Sequence, residues 1–115
     1  MKNIFIYVDY LKTDYSFSNV IARHLNSLNS NETIDEVHIA RSYNKAIELL
    51  EIYKGDNIII DLSYNLYEEK TGLDICKYIT KFKIPILFFH IHSVDLEKRF
   101  EMKEELLQNG YKEFS

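Results

Sequence analysis

Five polar residues interrupt the apolar runs of this chain where they could do chemistry: Asp9, Asp61, Ser63, His90 and His92. A carboxylate can hold a divalent cation or orient a water. An imidazole exchanges protons near neutral pH. Asp61 is the most informative, because it closes the run Ile58-Ile59-Ile60-Asp61-Leu62. A carboxylate at the end of a buried strand is costly unless it is paired or hydrogen-bonded. Side chains alternate along a strand, so Ser63 falls on the face of Asp61, and His90 and His92 share one face. Phe89 and Ile91 then point into the opposite layer. Two imidazoles so placed could bind a metal, or act as acid and base around a phosphoryl group. A catalytic zinc normally takes three protein ligands, so a metal-dependent hydrolase built on His90 and His92 ranks last. His24 and His38 read as structural.

Positioning such residues requires elements that end side by side, and the apolar pattern supplies them. Strands are expected at Asn3–Val8, Ile34–Ala40, Asn57–Leu62, Ile86–Ile91 and Tyr111–Phe114, with Pro85 opening the fourth. Helical spacing links Phe17, Val20, Ile21, His24, Leu25 and Leu28 behind a Ser16 or Ser18 cap. A second helix follows Ser42 and carries Ala46, Ile47, Leu49, Leu50 and Tyr53, with Gly55 as its stop. A third begins at Thr71-Gly72 and turns Leu73, Ile75, Cys76, Ile79 and Phe82 inward. The last carries Leu96, Phe100, Met102, Leu106 and Leu107, ended by Gly110.

Five strands alternating with four helices make a (βα)₄β unit. Right-handed crossovers then put helices on both faces of a parallel five-stranded sheet, a three-layer α/β sandwich of order 2-1-3-4-5. Ligands of open parallel sheets bind beyond the carboxyl ends of the strands. There the five polar residues would form one rim.

Composition narrows the partners. The chain has 115 residues, read as one domain over 1–115, and 46% of them are hydrophobic, enough for a core without covalent staples. Lys and Arg number 14 against 18 Asp and Glu, net −4, which argues against a nucleic-acid polymer as partner. The single cysteine, Cys76, precludes an internal disulfide and fits a reducing, cytoplasmic setting. The first apolar run stops at Asp9, too short for a membrane span or a signal segment. Most of the nine Tyr and seven Phe read as core and rim packing. With three Gly, no glycine-rich phosphate cradle is possible.

The order of elements resembles a response-regulator receiver domain of flavodoxin-like fold, through Ile-Ile-Ile-Asp61-Leu, Gly72-Leu-Asp74-Ile and Ile84-Pro85-Ile86. A closer resemblance is to the receiver-like family that processes cyclic phosphates, from about Ile39 to Phe114. Its Asp-x-Asp-Leu and Thr-Gly segments align on Ser63-Tyr64-Asn65-Leu66 and Thr71-Gly72. Its His-Ser-x-Asn-Pro-x-Gly-Arg segment aligns on His92-Ser93-Val94-Asp95-Leu96-Glu97-Lys98-Arg99, followed by Met102. Its acidic pair after the first strand corresponds to Asp9 alone. Both aspartates of Asp-x-Asp become Ser63 and Asn65, so the acidic site is degenerate.

The resemblance implies a small phosphate-containing ligand, a cyclic phosphate or a nucleotide-like molecule, and phosphodiesterase-like processing of it. The loss of two acids favours binding over catalysis. His92 would be the acid or base. Ser93, Arg99 and the first-turn amides of the last helix would hold phosphate oxygens. Ser63, Asn65, Thr71, Gly72 and His90 would complete the pocket. Asp9 and Asp61 would orient a water or hold a divalent cation such as magnesium. The competing expectation is a pseudo-receiver that signals through a protein partner on the last helix and final strand, at Phe100, Tyr111 and Phe114.

Overall fold

The structure is a computed structural model and describes residues 1–10 and 34–113. The helix expected over Phe17–Leu28, and with it His24, lies outside the described residues, as does Phe114.

Strand β1 (Asn3–Val8) is buried from Ile4 to Val8, the pattern of a strand covered on both faces. It lies between β2 (Glu36–Ala40) and β3 (Asn57–Leu62), and β4 (Phe88–Ile91) pairs with β3. All pairs are parallel, and the strand order is β2-β1-β3-β4. Strand β2 is an edge of the described sheet, and its Val37 is exposed.

Three helices pack on one side of this sheet. They are α1 (Tyr43–Tyr53), α2 (Gly72–Lys81) and α3 (Leu96–Leu107). Ala46, Leu49 and Leu50 of α1, Ile75, Cys76 and Ile79 of α2, and Met102 and Leu106 of α3 form one buried cluster with the sheet. The sheet contributes Ile4, Ile6, Val8, Ile58, Ile60, Leu62, Phe89 and Ile91. These positions are the alternate residues of β1, β3 and β4. The opposite face carries Phe5, Tyr7 and Ile59, with Ile34 and Leu87 against them. No membrane-spanning helix, long and apolar enough to cross a bilayer, occurs among the described residues.

Local chemistry sets the helix starts. The Ser42 hydroxyl accepts from the Lys45 amide at 3.2 Å and caps α1. Thr71 and Asp74 form a capping box at α2, with the Thr71 amide donating to Asp74 Oδ2 at 2.8 Å. Gly72 is required by a close approach. A Cβ there would sit 2.0 Å from the Ser63 carbonyl oxygen and 2.7 Å from Met102 Cε. The Gly72 amide also donates to the Tyr64 carbonyl at 2.8 Å. The start of α2 is thereby fastened to the segment leaving β3.

Several expectations are corrected. Among the described residues the sheet has four strands, and the expected fifth, Tyr111–Phe114, runs into residues outside those described. The end of the chain contributes one parallel bridge, Phe89 with Glu113, supported by the Phe89 amide donating to the Lys112 carbonyl at 2.9 Å. Gly110 turns the chain at φ +88°, and the Tyr111 hydroxyl then bonds the carbonyls of Ile84 (2.8 Å) and Ile79 (3.2 Å). Those bonds hold Tyr111 against the end of α2 and the turn that follows it, where it is partly buried and packs against the core. The fourth strand begins at Phe88, two residues later than expected, and the second at Glu36 in place of Ile34. Gly55 follows the Lys54 cap of α1 without a left-handed φ. All described helices cover one face, so a layer on the other face is not formed by described residues.

Candidate functional site at the carboxyl rim of the sheet

Strand register brings the polar residues together. Tyr7 pairs with Asp61, and Asp61 with His90, so the three side chains stand in a row on one face. The ladder continues one step past the strand ends. The Asp9 amide donates to the Ala40 carbonyl (3.0 Å), Ser63 to Val8 (3.1 Å) and His92 to Leu62 (2.9 Å). These bonds hold Asp9, Ser63 and His92 level with one another, one row further out. The two-residue spacings Asp9 after Tyr7, Ser63 after Asp61 and His92 after His90 keep all six on the same face.

His92 is the centre of the arrangement. Its Nδ1 bonds Asp61 Oδ1, and its Nε2 lies 2.8 Å from Asp9 Oδ2. The same Asp61 oxygen lies 3.1 Å from His90 Nδ1. The Tyr7 hydroxyl donates to Asp9 Oδ2 at 3.3 Å, and the Tyr7 ring stacks on His92 with centroids 4.9 Å apart and planes 14° apart. Asp61 is fully buried and Asp9 nearly so. The Asp61 carboxylate therefore has the partners its burial demands.

Two carboxylates on the two ring nitrogens require both nitrogens to donate, which is the imidazolium form. Burial of His92 opposes that charge, but the hydrogen bonds and charges of Asp61 and Asp9 outweigh it and raise the pKa to about 9. The site thus holds a cation fixed between two anions.

A cavity of about 300 Å³ opens beside this cluster. Its walls are Tyr7, Asp9, Tyr10, Ser63, Asn65, Tyr67, His92, Ser93 and Val94. Of the residues expected from sequence, Asp9, Ser63, Asn65, His92 and Ser93 line it. Asp61 lies behind it, bonded to His92, and His90 supports Asp61 from the far side. Thr71, Gly72 and Arg99 are not part of the lining. Thr71 and Gly72 form the cap and close contact of α2 described above. The first turn of α3 is also engaged, since Asp95 Oδ1 accepts the Lys98 amide at 3.2 Å. That carboxylate sits where a phosphate at the helix N-terminus would sit and repels one.

The cavity also includes residues not singled out by sequence: Tyr7, Tyr10, Tyr67 and Val94. Tyr7 carried a usable signal, its two-residue spacing from Asp9. Tyr67 carried none, because it lies in a polar loop whose path sequence does not define.

A divalent cation at Asp9 and Asp61 does not fit this donor set. Among the described residues, no group of three or more His, Cys, Asp or Glu could hold a metal ion. Both carboxylates bond the His92 ring, and both ring nitrogens are engaged. A cation there would have to displace an imidazolium already neutralising the same two acids. The expected His90–His92 metal centre fails for the same reason, since each ring turns Nδ1 to Asp61.

No curated protein matches this chain. The family description "cyclic-phosphate processing receiver domain" matches residues 7–108, which take in β1 from Tyr7, the remaining strands, all three described helices and every residue lining the cavity. The parallel α/β sheet is consistent with a receiver fold, and the chain belongs to the cyclic-phosphate processing receiver domain family.

Proposed function

We propose that this chain binds a small cyclic-phosphate, nucleotide-like ligand in the rim cavity, with His92 as the proton donor of the site. The observation that carries this reading is the His92 ring held between Asp9 and Asp61 in the wall of a 300 Å³ cavity. In hydrolytic opening of a cyclic phosphodiester, water forms a new P–O bond and gives up a proton to solvent while the ring P–O bond breaks, and the alkoxide that leaves takes its proton from the imidazolium. Ser63 and Ser93 bring hydroxyl donors for phosphate oxygens, and Asn65 brings an amide nitrogen with two N–H groups. The Asp9 carboxylate in the wall disfavours added negative charge, so a monoanionic cyclic diester would bind more tightly than its dianionic opened product.

Calorimetric titration with 2′,3′- and 3′,5′-cyclic nucleotides tests the binding, and phosphorus-31 NMR of the same mixtures tests processing. Saturable heat that His92→Ala abolishes supports the reading. Absence of heat across the panel, with no difference in the variant, removes it.

A second reading, a pseudo-receiver working through a protein partner, draws support from α3. Leu96 and Phe100 on that helix, and Val94 just before it, are exposed apolar side chains. A photo-crosslinker placed at Phe100 in cells would capture a single defined protein if that reading holds. A product confined to uncrosslinked monomer would count against it.

A further inference from the structure

The cavity wall divides into two chemistries. Asp9, His92, Ser63 and Ser93 supply charge and hydroxyls. Tyr10, Tyr67 and Val94 supply uncharged surface, and two of these three residues are aromatic. Tyr7 is committed to the His92 ring, on which it stacks. Among the described residues, the rings of Tyr10 and Tyr67 pack on each other. Their rings lie 4.1 Å apart at an interplanar angle of 55°, and their hydroxyls are 3.4 Å apart. Tyr10 is 37% and Tyr67 69% exposed.

The backbone holds Tyr67 there at a cost. Its φ of +54° is a left-handed conformation that a bulky residue rarely adopts. The Asn65 side-chain oxygen accepts the Tyr67 amide at 2.8 Å and keeps the loop in this shape. A glycine would meet the backbone requirement without strain. The ring is therefore present for a reason other than the turn. It buries little surface, and among the described residues it packs against Tyr10. Strained, over-determined positions of this kind cluster at ligand sites.

We propose that Tyr10 and Tyr67 form a stacking surface for a nucleobase. This rests on the cyclic-phosphate reading and extends it. The favoured ligand becomes a nucleoside cyclic phosphate, its phosphate toward His92 and its base on the tyrosines, in preference to a base-free cyclic phosphate. Every base has a π-face, so such a surface accepts purines and pyrimidines alike. The volume, near the lower end of small-ligand sites, suits one nucleotide and no longer chain.

The full chain is titrated by calorimetry with three probes: adenosine 2′,3′-cyclic phosphate, glycerol 1,2-cyclic phosphate and adenosine. The cyclic nucleotide is expected to bind about tenfold or more tightly than the glycerol diester, the range stacking on one aromatic platform supplies. In Tyr67→Gly, which removes the ring and relieves the positive φ, the two affinities converge while the melting temperature holds. Tyr10→Ala narrows the same gap. Equal affinities of the two diesters for the unmodified chain overturn the proposal, as does a gap that survives in both variants. Adenosine binding that depends on Tyr67, with neither diester binding better than adenosine, keeps the stacking surface and removes the phosphate reading. Silence of all three probes removes both.

Discussion

The Nε2 of His92 lies 2.8 Å from Oδ2 of Asp9, across 83 residues of sequence, and the other ring nitrogen faces Asp61. One imidazole thus joins the carboxyl ends of three strands. The relationship is both electrostatic and architectural. The cation holds two buried acids together, and the acids hold the ring in the cavity wall.

Stability is expected to fall in alkali. The His92 pKa is raised from 6.5 to about 9 in the folded chain. Below 6.5 both folded and unfolded chains carry the proton, and the contribution is fully present. As pH rises between 6.5 and 9 the unfolded chain releases the proton and the folded chain keeps it, so the contribution shrinks. Above 9 it is gone. The span corresponds to about 3 kcal/mol. Urea unfolding at pH 6, 8 and 10 measures it, and in His92→Gln the decline over this window should disappear.

Removing the buried acid should cost more than removing the outer one. Asp61→Ala leaves the rings of His90 and His92 without their shared oxygen, and breaking a buried pair in this way costs about 3 kcal/mol or more. Asp61→Asn keeps the shape and an acceptor and should cost less. Both should lower the His92 pKa. Carbon-13 NMR of the ring across pH reads the shift, and an unchanged midpoint in both variants would show that Asp61 does not set it.

Acetyl phosphate should leave the chain unmodified. A receiver phosphoacceptor must present a carboxylate oxygen to the phosphoryl donor. Asp61 is fully buried and its Oδ1 is shared by two imidazoles. Intact-mass analysis after incubation should show no phosphoryl adduct. An adduct mapped to Asp61 would reveal that the cluster opens in solution.

Gly72→Ala should destabilise the fold by about 2–3 kcal/mol, toward the upper end of overpacking costs. The clashing atom is the Ser63 carbonyl oxygen, at 2.0 Å, and backbone gives way less readily than a side chain. Because Ser63 lines the cavity, the same variant should weaken ligand binding. Urea midpoints and the calorimetric titration read the two effects separately.

Much of the scaffold was legible along the chain. The buried strand Asn57–Leu62 forms over the residues expected, because three consecutive isoleucines suit a strand covered on both faces. The Ser42 cap lies where predicted and α2 begins at Thr71-Gly72 as expected, since capping is a local contest between a side chain and the first amides of a helix. The shared face of Asp61 with Ser63, and of His90 with His92, follows from strand alternation alone. The end of β4 at Ile91 falls where expected, and the parallel bridge of Phe89 with Glu113 lies within the segment expected as the last strand. The start of β4 was not legible, since it forms at Phe88 in place of Ile86.

The candidate site divides along the same line. Residue types and two-residue spacing named Asp9, Asp61, His90 and His92 and aimed them at one rim, because alternation is a property of each strand separately. Register between strands is a property of pairing, and pairing placed Tyr7, Asp61 and His90 in one row and set His92 between two carboxylates. That placement supplied the imidazolium, ruled against a cation at Asp9 and Asp61, and left Thr71, Gly72 and Arg99 outside the cavity wall. Tyr67 entered the wall through a positive φ held by the Asn65 side chain, a loop conformation that no periodic pattern encodes.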